Sequence, residues 1–221
     1  NTPGFDPGIP SSSLGGPVPL QRSIDLEMTT SVDNSKKPLA AIILAAGKGT
    51  RMESDLPKVL HPVAGKPMVQ WVFEQASKAK SISEVIVATD DNRILEAVNG
   101  FGGNAVMTSA DHESGTDRIA EVVRDRECEV VVNVQGDEPL IAPENIDRVV
   151  RPLLENAIES TVTLRILIKS CEELMDRNVT KVVVDNSNSA LYFSKAPIPW
   201  DRDKWGGDSI EYSSFDPLKS F

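Results

Sequence analysis

From Leu39 onward, short apolar runs alternate with longer stretches in which apolar residues recur every three or four positions. The runs predict buried strands, at residues 40–46, 84–89, 105–108, 129–134, 161–168, 181–185 and 190–194. The longer stretches predict amphipathic helices, at residues 67–78, 92–98, 116–125 and 144–156. Strands that alternate with helices indicate an α/β fold with a Rossmann-like, mixed but mostly parallel sheet covered on both faces. Ligands of such sheets bind at the carboxyl ends of the strands, which directs attention to the loops after residues 46, 89, 108 and 134.

Residues 1–37 differ from the rest, because they are rich in Pro, Gly and Ser and lack an apolar period. We expect this segment to be disordered or a polylinker remnant, with Met28 as a natural start. Residues 38–221 then form a single domain. The sequence after Trp200 is polar and irregular, and it stops at Phe221 without a closing helix or strand.

Composition narrows the classes of partner. The net charge of −10 argues against a nucleic-acid partner, and no apolar run reaches the length of a membrane helix. Two cysteines without metal-ligand spacing favour a reduced, cytoplasmic protein. Between residues 47 and 66, however, four cations face only two acids, which favours a small anion as ligand; the cations are Lys48, Arg51, Lys58 and Lys66.

The first predicted strand runs directly into a glycine-rich loop. Small residues there let backbone N–H groups approach an anion, while Arg51 and Lys58 can bind phosphate oxygens. Gly65-Lys66 fails the Walker A spacing, because Pro67 follows it and position 60 is not glycine, and Met52 stands where the dinucleotide fingerprint needs a small residue. The predicted triphosphate-binding residues besides the two cations are Ala45, Ala46, Gly47, Gly49 and Thr50.

A second candidate site follows the predicted strand at residues 129–134. Asp137 would stand where this strand leaves the sheet, and a carboxylate beside phosphate oxygens is a suitable Mg²⁺ ligand. The sequence from Gly136 to Pro139 is also typical of a plain turn, but the nearby glycine loop favours the metal site. Glu138 is the weaker candidate.

A polar segment before the third predicted helix ends in Ser114-Gly115-Thr116. Ser114 or Thr116 is expected to cap that helix, whose N-terminus would point N–H groups toward the same strand-end crevice. We assign no catalytic role to His61 or His112.

These motifs resemble known families. Residues 44–52 with Leu56-Pro57-Lys58 resemble the sugar-nucleotide pyrophosphorylase superfamily, and residues 41–75 are most similar to N-acetylglucosamine-1-phosphate uridyltransferases. Residues 88–90, 107–120, 132–141 and 190–200 resemble, in order, the 3-deoxy-manno-octulosonate cytidylyltransferase family. The resemblance implies a fold of the nucleotide-diphospho-sugar transferase type and transfer of CMP from CTP to that acidic sugar with release of pyrophosphate.

The resemblance also implies roles for individual residues. Arg51 and Lys58 would contact the triphosphate, Asp137 would bind Mg²⁺, and Gln135 would lie near the sugar acid. The cytidine would lie at Ser114, Gly115 and Arg118. The family continues well beyond Trp200 and forms dimers, so this chain is expected to be truncated at its C-terminus and its full-length form to be a homodimer.

Two departures from the family pattern leave alternatives open. Ala45-Ala46-Gly47 replaces the usual Pro-Ala-Arg, with a longer path to Lys58, and Ser109 replaces an arginine. The alternatives are a UTP-dependent uridyltransferase acting on a sugar 1-phosphate, and a module that binds nucleotide sugars without catalysis.

Overall fold

The computed structural model describes residues 39–46, 54–155, 161–198 and 200. In chain order its strands are β1 (Leu39–Leu44), β2 (Pro62–Val63), β3 (Lys66–Pro67), β4 (Glu84–Thr89), β5 (Ala105–Met107), β6 (Val130–Gln135), β7 (Lys181–Val184) and β8 (Ala190–Ser194). Its α-helices are α1 (Met68–Ala76), α2 (Asn92–Gly100), α3 (Gly115–Val123), α4 (Pro143–Glu155) and α5 (Cys171–Met175). Within these residues no helix is both long and apolar enough to cross a membrane.

The central sheet has four parallel strands in the order β5-β4-β1-β6. β1 lies between its two neighbours, so Leu44 at its end pairs with Ala88 on one side and Gln135 on the other. Two antiparallel hairpins, β2-β3 and β7-β8, lie outside this sheet. The predicted α/β class with a mostly parallel sheet is confirmed.

Helices cover both faces of the central sheet. On one face Ile43 and Val87 belong to a core that includes Val72 of α1 and Val150 of α4. On the other face Ile42 and Ile86 pack with Val122 of α3. Burial on both sides explains why these strands are continuously apolar rather than alternating.

The strand predicted at residues 161–168 is wrong, because those residues have no strand partner in the described structure. Ile166 there is 86% exposed. An apolar run becomes a strand only where a neighbour accepts its backbone hydrogen bonds, and sequence alone does not supply that neighbour. The short helix α5 and the hairpin β2-β3 were not predicted, since segments of five and two residues carry no measurable period.

Candidate functional site

A cleft of about 450 Å³ lies at the carboxyl ends of the parallel strands. Three of the loops that sequence analysis selected contribute to it, those after β1, β5 and β6. Its lining residues are Leu44, Ala46, Pro57, Lys58, Val59, Ile94, His112, Glu113, Ser114, Gly115, Arg118, Gln135 and Asp137. Three of the four selected loops therefore meet at one edge of the sheet, and the loop after residue 89 does not line the cleft.

The start of the glycine loop is fixed to the sheet. The backbone N–H of Ala45 donates to the carbonyl of Ala88 at 3.0 Å, and Ala45 is fully buried. Ala46 is exposed and lines the cleft. The predicted ligands Gly47, Gly49, Thr50 and Arg51 lie outside the described residues, so the loop is seen here only where it leaves β1.

Lys58 and Asp137 form an ion pair across the cleft, with 2.5 Å between Lys58 Nζ and Asp137 Oδ2. Both side chains stay accessible, at 45% and 40% exposure. The two residues are 79 positions apart in the chain. The cation predicted to bind phosphate and the acid predicted to bind metal are therefore brought into direct contact.

The backbone beneath Lys58 is well anchored although its side chain is exposed. Lys58 opens a short 3₁₀ turn after the buried Pro57, and the next residue, Val59, is only 8% exposed. The guanidinium of Arg93 on α2 donates to the carbonyl of Asp55 at 2.6 Å. These contacts fix where the lysine side chain starts and leave its end free to reorient.

Asp137 is held in place by a close approach of two strand ends. The N–H of Gly136 donates to the carbonyl of Leu44 at 2.9 Å. A Cβ on Gly136 would lie 2.5 Å from that carbonyl oxygen, so only glycine fits without moving the backbone. The end of β6 is thereby held against β1, and the next residue, Asp137, projects into the cleft.

Gln135 lines the cleft beside Asp137, where a residue that contacts the acceptor substrate would lie. Its side chain is exposed, and its amide nitrogen donates to the Oδ1 of Asn133 at 3.0 Å. The amide oxygen points to no partner among the residues that the structure describes. The predicted contact of Gln135 with a substrate stays a prediction.

The N-terminus of α3 lies at the cleft. Ser114 is the N-cap, and its Oγ accepts from the N–H of Asp117 at 3.2 Å, which decides between the two predicted caps. A Cβ on Gly115 would lie 2.5 Å from a methyl of Leu44, so the first turn of the helix packs closely on the end of β1. A nine-residue helix directed in this way presents its positive end to the cleft.

Arg118 lines the cleft, but its guanidinium is bound by the protein. It donates to the carboxylate of Asp90 at 2.9 Å and to the hydroxyl of Thr108, and its side chain is only 6% exposed. Thr108 in turn donates to the carbonyl of Thr89 at 3.0 Å. This hydrogen-bonded group joins α3 to the ends of β4 and β5. Arg118 therefore supports the structure of the cleft, and any contact with a nucleotide would be a second role.

Sequence reasoning missed three residues of this edge: Asp90, Thr108 and Glu121. The carboxylate of Glu121 binds the imidazole of His112 and accepts from the N–H of Ser109, which fixes the loop before α3. The hydrogen bond from His112 is the main reason that the pKa of the Glu121 carboxyl lies below its ordinary value. Asp90 directly follows β4, so the strand-end rule used for Asp137 would have selected it.

Comparison with known proteins agrees with this geometry. The model of a family described as cytidylyltransferase matches residues 40–207. A 3-deoxy-manno-octulosonate cytidylyltransferase of Geobacter sulfurreducens is 51% identical over 167 residues, which cover 76% of this chain and 66% of that protein. Another, of Aliivibrio salmonicida, is 50% identical over 167 residues, covering 73% and 64%.

A solved structure of CMP:2-keto-3-deoxy-manno-octonic acid synthetase complexed with CTP is similar in fold, with a TM-score of 0.69 and 40% identity. The similarity covers 75% of this chain and 67% of that one. The present chain thus spans about two thirds of the length of the relatives that it matches.

Proposed function

Because the chain belongs to the cytidylyltransferase family, we propose that it is an enzyme that transfers CMP from CTP to 3-deoxy-manno-octulosonate and releases pyrophosphate. The observation that carries the proposal is the contact of Lys58 with Asp137 in the strand-end cleft. The contact supports the proposal because it joins a lysine suited to bind an anion and a carboxylate suited to bind a cation, at the edge of the sheet where such folds bind nucleotides.

In the proposed reaction, a hydroxyl oxygen of the sugar bonds to the α-phosphorus of CTP. The bond from that phosphorus to the oxygen leading to the β-phosphate breaks, and the hydroxyl proton passes to solvent. Lys58 would neutralise charge on the leaving pyrophosphate, and the N-terminus of α3 would add positive potential. Gln135 would orient the acceptor. Catalysis would rest on position and charge, without a covalent intermediate.

Asp137 is the described residue that would hold Mg²⁺, which when bound would neutralise phosphate oxygens. Its carboxylate is accessible and faces the cleft, as a Mg²⁺ ligand requires. Within residues 39–46, 54–155, 161–198 and 200, no three His, Cys, Asp or Glu side chains form a metal-binding group. Asp137 would therefore share the ion with phosphate oxygens and water, the usual arrangement for Mg²⁺ beside a nucleotide.

The test offers CTP or UTP with either 3-deoxy-manno-octulosonate or N-acetylglucosamine 1-phosphate and measures pyrophosphate release in the presence of Mg²⁺. We expect release only with CTP and the sugar acid. Release with UTP and the sugar phosphate would instead establish the uridyltransferase. Nucleotide binding without release in any pair would establish a non-catalytic module. The same samples, analysed by light scattering, test the expected homodimer.

A further inference from the structure

The ion pair between Lys58 and Asp137 brings together two groups that the proposed function uses for different ligands. Asp137 is the group for a cation, and Lys58 is the group for a phosphate. Their contact is the one polar contact found for either side chain within the described residues. The Lys58 ammonium therefore occupies the position on Asp137 that a bound cation would take. The Asp137 carboxylate likewise occupies the position on Lys58 that a phosphate would take.

A divalent cation at Asp137 would meet the lysine directly. Mg²⁺ binds carboxylate oxygens at about 2.0–2.1 Å, and the Lys58 ammonium already lies 2.5 Å from Asp137 Oδ2. The ammonium occupies one binding position on this carboxylate, and two positive charges on the same carboxylate repel each other. The pair is electrically neutral as a unit, so it also attracts a free cation less than an unpaired carboxylate would.

A nucleoside triphosphate removes this competition between Lys58 and the divalent cation for Asp137. Its oxygens offer Lys58 a more highly charged partner and supply the additional ligands that a single carboxylate lacks. The exchange costs little, because an ion pair with both side chains about half exposed contributes little to stability. The anchored backbone and flexible stem of Lys58 allow its ammonium to move while its Cα stays in place.

We propose that Lys58 is the counter-ion of Asp137 until a nucleotide binds, so that the divalent cation binds at Asp137 only together with the nucleotide. The proposal rests on the proposed function, because it takes Asp137 as the cation ligand. By linkage, the cation and the nucleotide each increase the affinity for the other. Lys58 thus first excludes the divalent cation from Asp137 and then binds the phosphates of the nucleotide.

The decisive experiment measures Mn²⁺ binding to the full chain without nucleotide, by the loss of the free-ion signal in electron paramagnetic resonance. We expect Lys58→Gln to bind Mn²⁺ about fivefold more tightly than the unchanged protein, because the competing positive charge is gone. Lys58→Arg keeps the charge and should stay near the unchanged protein. Unchanged or weaker Mn²⁺ binding by Lys58→Gln would overturn the proposal.

Lys66→Gln is the matched control. Lys66 also forms an ion pair, partly exposed, with Glu74 at 2.8 Å, so this variant loses the same charge away from Asp137. An equal gain in Mn²⁺ affinity from Lys66→Gln would mean a general charge effect and would overturn the proposal. The double variant Lys58→Gln/Asp137→Asn should lose the gain; if it keeps the gain, the cation binds elsewhere and the proposal fails.

A separate titration of CTP, by calorimetry with a chelator present, distinguishes this proposal from the proposed function. We expect Lys58→Gln to bind CTP about tenfold more weakly, since a charge-assisted contact to phosphate is lost. If the unchanged protein binds no CTP but the Mn²⁺ results are as expected, the counter-ion role stands and the proposed function fails. If CTP binds as expected and Lys58→Gln does not change the Mn²⁺ affinity, the counter-ion role fails and the proposed function stands.

Discussion

Asp137 is an accessible carboxylate just after the end of β6, a strand with alternating buried residues. Its neighbour Gly136 is buried and bonded to β1, whereas Asp137 itself faces the cleft. A substitution at Asp137 therefore changes the charge of the site without disturbing the packed sheet beneath it.

Asp137→Asn should lower the rate of pyrophosphate release about 100-fold, because an amide does not replace a carboxylate as a ligand of a hard cation. The shape of the side chain is kept, so we expect the urea midpoint of unfolding to stay unchanged. The control is Glu138→Gln, which removes the adjacent carboxylate, since Glu138 is exposed but does not line the cleft. Unchanged kinetics in Asp137→Asn, or an equal loss in Glu138→Gln, would mean that the metal site is misplaced.

Arg118→Met should destabilise the protein by about 3 kcal/mol, because it leaves Asp90 and Thr108 without their partner in a largely buried position. Asp90→Asn in the same chain removes the uncompensated charge and should recover part of that loss. A double-mutant cycle by urea unfolding measures the coupling. Strictly additive effects would contradict the contact between Arg118 and Asp90.

At this scale the sequence predicted the residues better than their partners. Lys58, Asp137 and Ser114 were selected from motifs, and all three line one cleft. The contact between Lys58 and Asp137 was not predicted, nor were the partners of Arg118. Those pairs join residues of separate helices, turns and loops, and the distance between two such side chains depends on strand order and register, which local sequence does not specify.

At the scale of elements, the site depends on how closely the ends of β1, β6 and α3 approach one another. The two glycines at this point, Gly136 and Gly115, both face Leu44, one against its backbone and the other against its side chain. The two contacts differ in how far they can yield, because a leucine side chain can rotate and a carbonyl in a sheet cannot.

Gly136→Ala should destabilise the protein by about 2 kcal/mol, because the new methyl would lie 2.5 Å from the Leu44 carbonyl oxygen and force β6 away from β1. Asp137 would move with the strand end, so turnover should fall as well. The control is Gly100→Ala at the end of α2, where a Cβ meets nothing within 4 Å. Equal urea midpoints for the two variants would contradict the close approach.

The hydrophobic pattern predicted the elements that build the central sheet and its cover. The strand at Glu84–Thr89 has the predicted bounds, and α4 begins at Pro143, one residue before the helix predicted at residues 144–156. The pattern was less reliable beyond β6, where the apolar residues 161–168 form no strand. There the deciding factor is a partner for the backbone, which periodicity does not report.

At the scale of the whole molecule, Asp147 of α4 connects this helix to the turn that follows α1. Its carboxylate accepts from the N–H of Ser81 at 2.8 Å, the hydroxyl of Ser81 at 2.6 Å and the N–H of Lys80 at 3.2 Å. Burial acts to raise the pKa of this carboxyl, but the hydrogen bonds from Ser81 and Lys80 outweigh it, and the pKa is lowered.

A lowered pKa means that the folded protein holds the Asp147 proton less tightly than the unfolded chain. The resulting stabilisation is complete above the unfolded pKa of about 3.9 and is lost as the pH falls through the folded pKa. Asp147→Asn should therefore be less stable than the unchanged protein at pH 7, and the difference should shrink toward pH 3. Urea unfolding over this range measures it, with Asp125→Asn as an exposed control. A constant difference would contradict the linkage.

The position of β1 between β4 and β6 also has a consequence during synthesis. The nascent chain delivers β1 to the ribosome exit before either strand that will flank it. Its apolar residues stay without their native neighbours while the intervening helices emerge, and such exposed segments are where newly made chains aggregate. The cleft is completed only when the segment carrying Asp137 has been translated, so the nucleotide of the proposed function cannot assist the earliest steps of folding.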